Sequence, residues 1–404
     1  MSFVPITNLS SLDGTNGFRL DGVAANDCVG WSVASAGDVN GDGFDDVILG
    51  TPGADPNGTA NAGSSYVVFG KAGGFASSIG LAGLDGSTGF KLAGVAASDY
   101  SGASVASAGD VNGDGFADII IGTPGADSNG SDAGASYVVF GKAGGFVSSI
   151  NLSTLDGSNG FKLAGVSASD HSGASVAAAG DVNGDGFADV IIGTPGADPN
   201  GSDSGASYVV FGKAGGFVSS INLSTLDGTN GFRLNGGSAS ENSGGAVASA
   251  GDLNGDGYAD LIIGSLWADP SSIASGSSYV VFGKAGSFAA SINLSTLNGT
   301  NGFRLDGASA GNYSGLSAAS AGDMNGDGFA DLIIGAYGAN SNTGASYVAF
   351  GKASGFASAI SLSSLSGASG FQLNGVSTND RSGASVASAG DVNGDGRADL
   401  IIGA

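Results

Sequence analysis

The chain has 404 residues, of which 78 are glycine, 41% are hydrophobic and 12% are charged. This composition fits an all-β protein of many short strands and turns, and it excludes collagen because glycine shows no period of three. The formal net charge of -24 excludes nucleic acid and anionic lipid surfaces as expected partners, because like charges repel. The single cysteine, Cys28, allows no intrachain disulfide, so core packing or bound metal must supply the stability.

The N-terminal segment MSFVPITNLS has no basic stretch followed by an apolar one. We therefore expect no signal peptide in this segment. No apolar run in the chain approaches the roughly 18 residues that a membrane span needs, so we expect no membrane insertion.

One sequence unit repeats along the whole chain. The first Asp of a GDxNGDG segment falls at positions 38, 110, 181, 252, 323 and 391, with spacings of 72, 71, 71, 71 and 68 residues. A nearly constant period is typical of repeat architectures. We therefore treat residues 1–404 as a single domain of six units.

Each unit contains four strand-like segments, shown here in chain order for the second unit. Residues 104–108 (SVASA) are small and predict an inner strand in a crowded centre, and residues 118–122 (DIIIG) predict a strand buried on both faces. Residues 136–141 (SYVVFG) predict a third strand and residues 160–165 (GFKLAG) an outer one. Four short antiparallel strands per unit predict a β-propeller with four-stranded blades, and a solenoid is the alternative.

The connection before the outer strand is long, and its Phe146, Ile150, Leu152 and Leu155 predict a packed, ordered loop. The last unit ends after its second strand, so one third strand is missing. We expect the N-terminal outer strand, residues 17–22, to close this incomplete last blade. The chain is then either a segment of a longer protein or an imperfectly closed six-bladed ring, and a seventh blade in the parent protein stays open.

Between the inner and second strands, every unit carries the loop D-x-N-G-D-G-x-[AD]-D, at 38–46, 110–118, 181–189, 252–260, 323–331 and 391–399. Such a loop can direct side-chain oxygens from positions one, three, five and nine, and a backbone carbonyl from position seven, towards one hard cation. The predicted metal ligands are Asp38, Asn40, Asp42, Phe44, Asp46, Asp110, Asn112, Asp114, Phe116, Asp118, Asp181, Asn183, Asp185, Phe187, Asp189, Asp252, Asn254, Asp256, Tyr258, Asp260, Asp323, Asn325, Asp327, Phe329, Asp331, Asp391, Asn393, Asp395, Arg397 and Asp399.

The expected cofactor is Ca²⁺, up to six ions per chain. Magnesium fits less well because it prefers rigid octahedral sites with several waters. The alternative is that the loops are turns without metal, since Asn-Gly and Asp-Gly are ordinary hairpin turns. Six intact copies and the mutual repulsion of the clustered carboxylates favour the calcium interpretation.

The unit resembles the FG-GAP repeat, which occurs in the N-terminal propeller of integrin α chains and in bacterial surface or secreted proteins. The matching stretch is GASVASAGDVNGDGFADIIIGTPGA, with its five relatives. Two positions depart from the usual pattern: Ser101-Gly102 replaces an aromatic-Gly pair, and the middle metal ligand is Asn rather than Asp. The resemblance implies a calcium-stabilised binding or adhesion module located outside the cell or at its surface.

The face opposite the predicted calcium loops carries most of the variation between units. In the AxDxSG segment, the variable position is Cys28, Tyr100, His171, Asn242, Tyr313 or Arg381 in successive units. The loop after the second strand also varies, because Trp267 and Tyr337 interrupt its TPGAD pattern. We expect an unidentified protein or glycan ligand there, with Trp267, Tyr100 and Tyr313 as the first residues to mutate. Neutral drift is the alternative for the variation, and the preceding acids, Asp27, Asp99, Asp170, Glu241 and Asp380, are alternatively turn caps.

We do not expect the chain to be an enzyme. His171 is the only histidine, and every candidate carboxylate belongs to a repeated loop, so no nucleophile and base are unique to one unit. Two functions other than ligand binding stay open. One is a passive spacer in a giant repetitive surface protein, and the other is a non-catalytic domain of a secreted hydrolase.

Overall fold

The computed structural model describes residues 8–404, so most of the N-terminal segment expected to lack a signal peptide lies outside the described part. Short β-strands make up nearly all regular structure. In chain order they are β1 (Arg19–Asp21), β2 (Ser32–Gly37), β3 (Asp46–Thr51), β4 (Ser64–Val68), β5 (Ser78–Gly80), β6 (Gly89–Ala93), β7 (Ser104–Gly109), β8 (Asp118–Thr123), β9 (Ala135–Val139), β10 (Ser149–Asn151), β11 (Gly160–Ala164), β12 (Ser175–Gly180), β13 (Asp189–Thr194), β14 (Ala206–Val210), β15 (Ser220–Asn222), β16 (Gly231–Asn235), β17 (Ala246–Gly251), β18 (Asp260–Ser265), β19 (Ser277–Val281), β20 (Ser291–Asn293), β21 (Gly302–Asp306), β22 (Ala318–Gly322), β23 (Asp331–Ala336), β24 (Ala345–Ala349), β25 (Ala359–Ser361), β26 (Gly370–Asn374), β27 (Ser385–Gly390) and β28 (Asp399–Gly403).

Helical structure is limited to single turns. The 3₁₀ turns are Leu9–Ser11, Pro56–Gly58, Leu81–Gly83, Leu152–Thr154, Leu223–Thr225, Leu294–Thr296 and Leu362–Ser364, and one four-residue helix spans Ala339–Asn342. Within residues 8–404, no helix has the length and apolar character that crossing a bilayer would need.

Each complete unit forms one sheet in which the four predicted strands pair antiparallel in chain order. In the second unit the order is β7, β8, β9 and β11, and a bulge between Ser107 and Gly109 bends the inner strand just before the acidic loop. The four strands per unit are thus confirmed, and the chain is all-β with a propeller-like succession of sheets.

A fifth strand that the sequence does not predict joins four of these sheets. It comes from the long connection of the following unit and pairs parallel with the outer strand, as β15 does with β11. The prediction of four-stranded sheets is therefore wrong in number. The reason is that a three-residue strand such as Ser220–Asn222 is too short to show the alternation of polar and apolar residues that marks a strand.

The hydrophobic cores lie between successive sheets. Ile119 and Ile121 of β8 pack with Ile48 of the first unit, whereas Ile120 packs with the third unit. All four of these side chains are fully buried. The prediction that the second strand is buried on both faces is confirmed.

The long connection is ordered and closes the edge of each core. Phe146 stacks on Phe90 of the preceding unit with ring centroids 4.4 Å apart, and Leu152 and Leu155 are buried in the same cluster. Lys142 lies over the Phe146 ring with Nζ 5.0 Å from its centroid. The predicted packed loop is confirmed, and it explains why these units are longer than four strands require.

Inner strands lie beside one another from unit to unit, in the series β2, β7, β12, β17, β22 and β27. The two ends of this series differ from its interior. Ile401 on β28 is 61% exposed, although the equivalent Ile120 is fully buried, and Val33 on β2 is 66% exposed.

The predicted closure by the N-terminal strand is not found. β1 pairs with β5, and β28 pairs with β27 alone, so within residues 8–404 no hydrogen-bonded sheet joins the two ends. The physical reason is the missing third strand: in complete sheets it lies between the second and outer strands and bonds to both.

Connections at the two ends of each sheet lie on opposite faces. The long connection contacts the acidic loop of the preceding unit, where Lys142 N donates to Val39 O at 2.9 Å. The loop after the second strand instead contacts the turn before the next inner strand, where Ser169 N donates to Ser131 O at 2.8 Å. The acidic loops and the variable turns therefore lie on opposite faces of the sheets, and metal binding at the acidic loops stays a prediction.

Candidate metal centre and the opposite face

The first Asp organises each acidic loop by accepting backbone hydrogen bonds. In the second unit, Asp110 Oδ1 accepts from Gly113 N at 2.7 Å and from Asp114 N at 3.1 Å, and Oδ2 accepts from Gly115 N at 2.9 Å. Gly113 has φ of 75°, and a Cβ there would lie 2.3 Å from the ring of Phe187 in the next unit. Glycine is therefore required at this position both for its left-handed backbone and for the close approach of the neighbouring loop.

Positions three and five continue this pattern. Asn112 Oδ1 accepts from Asp114 N at 2.8 Å, its Nδ2 donates to Asp114 Oδ2 at 2.9 Å, and Asp114 Oδ1 accepts from Phe116 N at 3.0 Å. The oxygen-bearing side chains of positions one, three and five are thus brought to one side of a single tight loop. The first five loops share these contacts, with Asn40, Asn183, Asn254 and Asn325 in the place of Asn112.

The ninth residue is a buried anchor rather than an exposed loop residue. Asp118 is fully buried; its Oδ2 accepts from Val111 N at 2.9 Å and its Oδ1 from Gly141 N, also at 2.9 Å. One carboxylate therefore joins the loop, the second strand and the start of the long connection. The contact with Gly141 was not predicted, although a glycine recurs at this place in every complete unit, at Gly70, Gly212, Gly283 and Gly351.

Burial makes these anchors unusually weak acids. Desolvation raises the pKa of Asp118, Asp189 and Asp260 to about 7 and that of Asp46 to about 6. The two backbone donors to each carboxylate oppose this rise, whereas the neighbouring acids at positions one and five add to it. When one of these buried aspartates is ionised, its hydrogen-bond partners are backbone N–H groups and not positively charged side chains.

The sixth loop departs from the other five. Asn393 Nδ2 donates to Asp399 Oδ1 at 3.4 Å instead of contacting Asp395, and Asp399 is only partly buried. Arg397 takes the place of the aromatic residue at position seven, and its guanidinium lies about 3.5 Å from where a Cβ of Gly326 would be. This loop belongs to the incomplete sheet β27–β28, which has no third strand to supply the second backbone donor.

The loops fit calcium by the chemistry of their donors but do not form a ready-made cluster. Each one offers three carboxylates, one amide oxygen and a peptide carbonyl, which are the hard oxygen ligands that Ca²⁺ prefers. Nevertheless, no group of three or more His, Cys, Asp or Glu side chains in residues 8–404 is arranged to hold a metal ion. In the second loop, binding would require Asn112 to release Asp114 Oδ2 and turn its own oxygen inward, so the thirty predicted ligands stay a prediction.

We expect the stability of the calcium-free protein to fall as the pH rises from about 4 to about 7. An aspartate whose pKa is higher in the folded state binds a proton there that the unfolded chain has already released, so folding is favoured at the acidic end of this window. Denaturant unfolding in calcium-free buffer at pH 5, 6, 7 and 8 measures the effect. A free energy of unfolding that increases over this range would contradict the assigned burial of the anchors.

On the opposite face, the acids that precede the variable residues are turn caps. Asp99 Oδ2 accepts from Ala96 N at 2.8 Å, and Asp27, Asp170 and Asp380 repeat the contact in their own turns. Glu241 accepts from Gly237 N in the fourth unit. The alternative that these acids cap turns is confirmed, and they hold each following residue with a positive φ.

Three aromatic residues on this face form a cluster that spans two units. Trp267 meets Tyr313 edge to face with ring centroids 5.1 Å apart, and Tyr313 stacks on Tyr337 at 5.2 Å. The sequence singled out all three residues but did not group them. Tyr100 is 42% exposed in the second unit.

Comparison with known protein families agrees with this architecture. FG-GAP repeats match residues 29–68, 101–139, 172–210, 243–281, 315–349 and 382–404. Each segment contains an inner strand, an acidic loop and a second strand, and the first five also reach the third strand. Together the six matches cover more than half of the chain.

Curated relatives carry similar sequence over a small part of their length. The chain is 28% identical to integrin alpha-V of Gallus gallus over 245 residues, which is 60% of this chain and 20% of that protein. It is 30% identical to integrin alpha-4 of Xenopus laevis over 180 residues, 45% of this chain and 16% of the relative.

A third relative is phosphatidylinositol-glycan-specific phospholipase D of Bos taurus, 32% identical over 185 residues, or 44% of this chain and 20% of that protein. The chain thus spans about a fifth or less of the length of these relatives. With six family matches that coincide with six equivalent loops and their flanking strands, this chain belongs to the FG-GAP repeat family.

Proposed function

We propose that this chain is a calcium-stabilised binding or adhesion module that works outside the cell or at its surface. The observation that supports the proposal best is the sixfold recurrence of one loop that gathers several oxygen ligands at the same place in each unit. Membership of the FG-GAP family and similarity to integrin alpha chains support the adhesion role.

In each loop the ion would be held by the residues at positions one, three, five and nine and by the carbonyl of position seven. A bound Ca²⁺ would supply the positive charge that the clustered carboxylates lack. The protein's own residues do the rest: the first Asp holds the loop closed through backbone donors, and the buried ninth Asp links the loop to the long connection. The six sheets would then act as blades of one propeller.

The number of calcium ions bound per chain tests the metal part of this proposal. Equilibrium dialysis of the intact chain against ⁴⁵Ca²⁺ is expected to give up to six ions, with five of similar affinity and a weaker one at the sixth loop, where Asn393 and Asp399 are arranged differently. Equimolar Mg²⁺ should displace little of the label. The absence of any saturable binding at millimolar calcium would overturn the calcium proposal.

For the partner, we propose a protein or glycan ligand on the face opposite the acidic loops. That face carries the residues that vary between units, together with the exposed aromatic side chains Trp267 and Tyr100. A role in nucleic acid binding, membrane insertion or catalysis is not part of this proposal.

A second candidate function is that of a non-catalytic domain attached to an enzyme. The similarity to phosphatidylinositol-glycan-specific phospholipase D favours it over a passive spacer. Surface plasmon resonance with the 404-residue chain distinguishes a binding module or an enzyme-attached binding domain from a passive spacer. A spacer should bind neither extracellular matrix proteins nor glycans immobilised on the chip.

A further inference from the structure

The fourth unit has a cavity of about 250 Å³ on the face opposite the acidic loops. Its walls include Trp267 together with four polar side chains, Glu241, Asp269, Tyr279 and Arg304. Trp267 is 46% exposed, so a substantial part of the indole is available to a ligand. The cavity therefore combines one aromatic wall with a polar rim.

The aromatic wall is specific to the fourth unit. The equivalent positions in four other units are glycines, namely Gly53, Gly125, Gly196 and Gly338. The first unit has the matching cavity, lined by Asp27, Asp55, Tyr66 and Lys91, with Gly53 instead of a tryptophan in its wall. The polar walls thus recur in the first and fourth units, whereas an indole lines the cavity of the fourth unit alone.

The indole is supported by its neighbours. Tyr313 contacts it edge to face at 5.1 Å and is in turn stacked on Tyr337 at 5.2 Å, so two residues of the fifth unit brace a ring of the fourth. A ring held in this way loses little side-chain entropy when a ligand binds. Such pre-organisation favours a binding surface over a loosely exposed hydrophobic side chain.

The polar side chains are also held in place. Glu241 accepts hydrogen bonds from Gly237 N at 3.0 Å and from the Tyr279 hydroxyl at 3.2 Å. Arg304 Nη2 pairs with Asp306 Oδ2 at 3.0 Å, and Asp269 accepts from Ala274 N at 2.6 Å. Carboxylate oxygens and guanidinium protons not used in these contacts can bind ligand hydroxyl groups.

We propose that this cavity binds one neutral pyranose ring of a glycan. A pyranose has an apolar face of C–H groups that can lie on an indole and a perimeter of hydroxyls that can both donate to Glu241 and Asp269 and accept from Arg304. An apolar side chain of a protein partner would leave these polar groups without partners, which is costly. An acidic sugar would meet two carboxylates on a chain of net charge -24.

This inference rests on the proposed binding role and names its ligand class. Its test uses the variant Trp31→Phe of the whole chain, which leaves Trp267 as the only tryptophan and so the dominant indole fluorophore. Methyl glycosides of glucose, galactose and mannose are the neutral probes, and sialic acid is the anionic one. At least one neutral probe should cause a saturable change in indole fluorescence with a Kd on the order of 1 mM, as expected for a single small ring.

Two further variants make the test specific, with binding followed by isothermal titration calorimetry. Trp267→Gly introduces the residue that four other units have at this place, and it should weaken binding at least tenfold while the unfolding transition is retained. Val147→Ala, at an exposed apolar side chain of a long connection on the acidic-loop face, should leave the affinity unchanged.

Binding by sialic acid alone, binding that survives in Trp267→Gly, or no response to any neutral probe would overturn the pyranose site. The calcium count described above is independent of all three outcomes. Failure of the sugar site alone would therefore leave the calcium-stabilised module in place.

Discussion

Removal of calcium should lower the midpoint of thermal unfolding by on the order of 10 °C or more. A ligand that binds only the folded state stabilises it by about 2.7 kcal/mol per site when its concentration is one hundred times Kd. In a domain of this size, each kcal/mol of unfolding free energy shifts the midpoint by only a few degrees. Five or six such sites together are still enough for a shift of the expected size. Differential scanning calorimetry in 5 mM Ca²⁺ and in excess chelator, in the same buffer at pH 7.5, measures the difference.

The physical reason is electrostatic. Each loop places three carboxylates within nine residues, and in the first five loops the ninth residue is buried with backbone donors as its partners. Without a cation, the folded state must either keep like charges together or take up a proton, and both lower its stability near neutral pH.

A control separates calcium chemistry from general effects of the chelator. Asp156 is an exposed aspartate that caps an ordinary turn through Ser158, outside the acidic loops. Asp156→Asn should respond to calcium as the unchanged chain does, whereas Asp185→Asn in the third loop should reduce the calcium-dependent shift. Equal midpoints with and without calcium for the unchanged chain would mean that these loops are turns that need no metal.

The repeat and its main strands could be predicted because they depend on local pattern. The run Ile119 to Ile121 is apolar throughout, and in the fold these isoleucines alternate between the cores of two interfaces. Likewise, Asp110 and the glycines at 113 and 115 specify the loop from one short stretch of sequence. In both cases the residues that determine the structure are neighbours in the chain.

Features that depend on distant partners could not be predicted in the same way. The parallel strand Ser149–Asn151 forms because the outer strand β6 of the preceding unit offers a free edge, which no pattern in three residues reveals. The closure at the chain ends was predicted wrongly, since β1 and β28 lack the third strand that bonds to both partners elsewhere.

Part of the candidate site could not be predicted from the sequence either. The four side-chain ligand positions in each loop are visible in the motif, but the ninth Asp of a complete unit contacts a backbone amide twenty or more residues away, as Asp189 does with Gly212. On the opposite face, Trp267, Tyr313 and Tyr337 come together only because successive units bring their loops side by side. The contact of the ninth aspartate with the long connection and the clustering of the three aromatic rings both depend on the folded arrangement of the units.

Replacing the buried ninth aspartate should destabilise the protein even without calcium. Asp189 is fully buried and accepts from Val182 N and Gly212 N, both at 2.9 Å. Asp189→Ala removes both acceptors and leaves two buried N–H groups unpaired, each at a cost of about 1 to 3 kcal/mol. We therefore expect a loss of roughly 2 to 6 kcal/mol in the free energy of unfolding, measured by denaturant titration in excess chelator.

The chain provides a matched control at the same motif position. Asp399 of the sixth loop is partly exposed and accepts from one backbone amide, Val392 N, so Asp399→Ala should cost clearly less than Asp189→Ala. Asp189→Asn, which keeps one acceptor oxygen, should fall between the two. If both alanine variants lost the same small free energy in chelator, the ninth aspartate would have no anchoring role of its own, and any effect of its replacement in calcium would come from the metal alone.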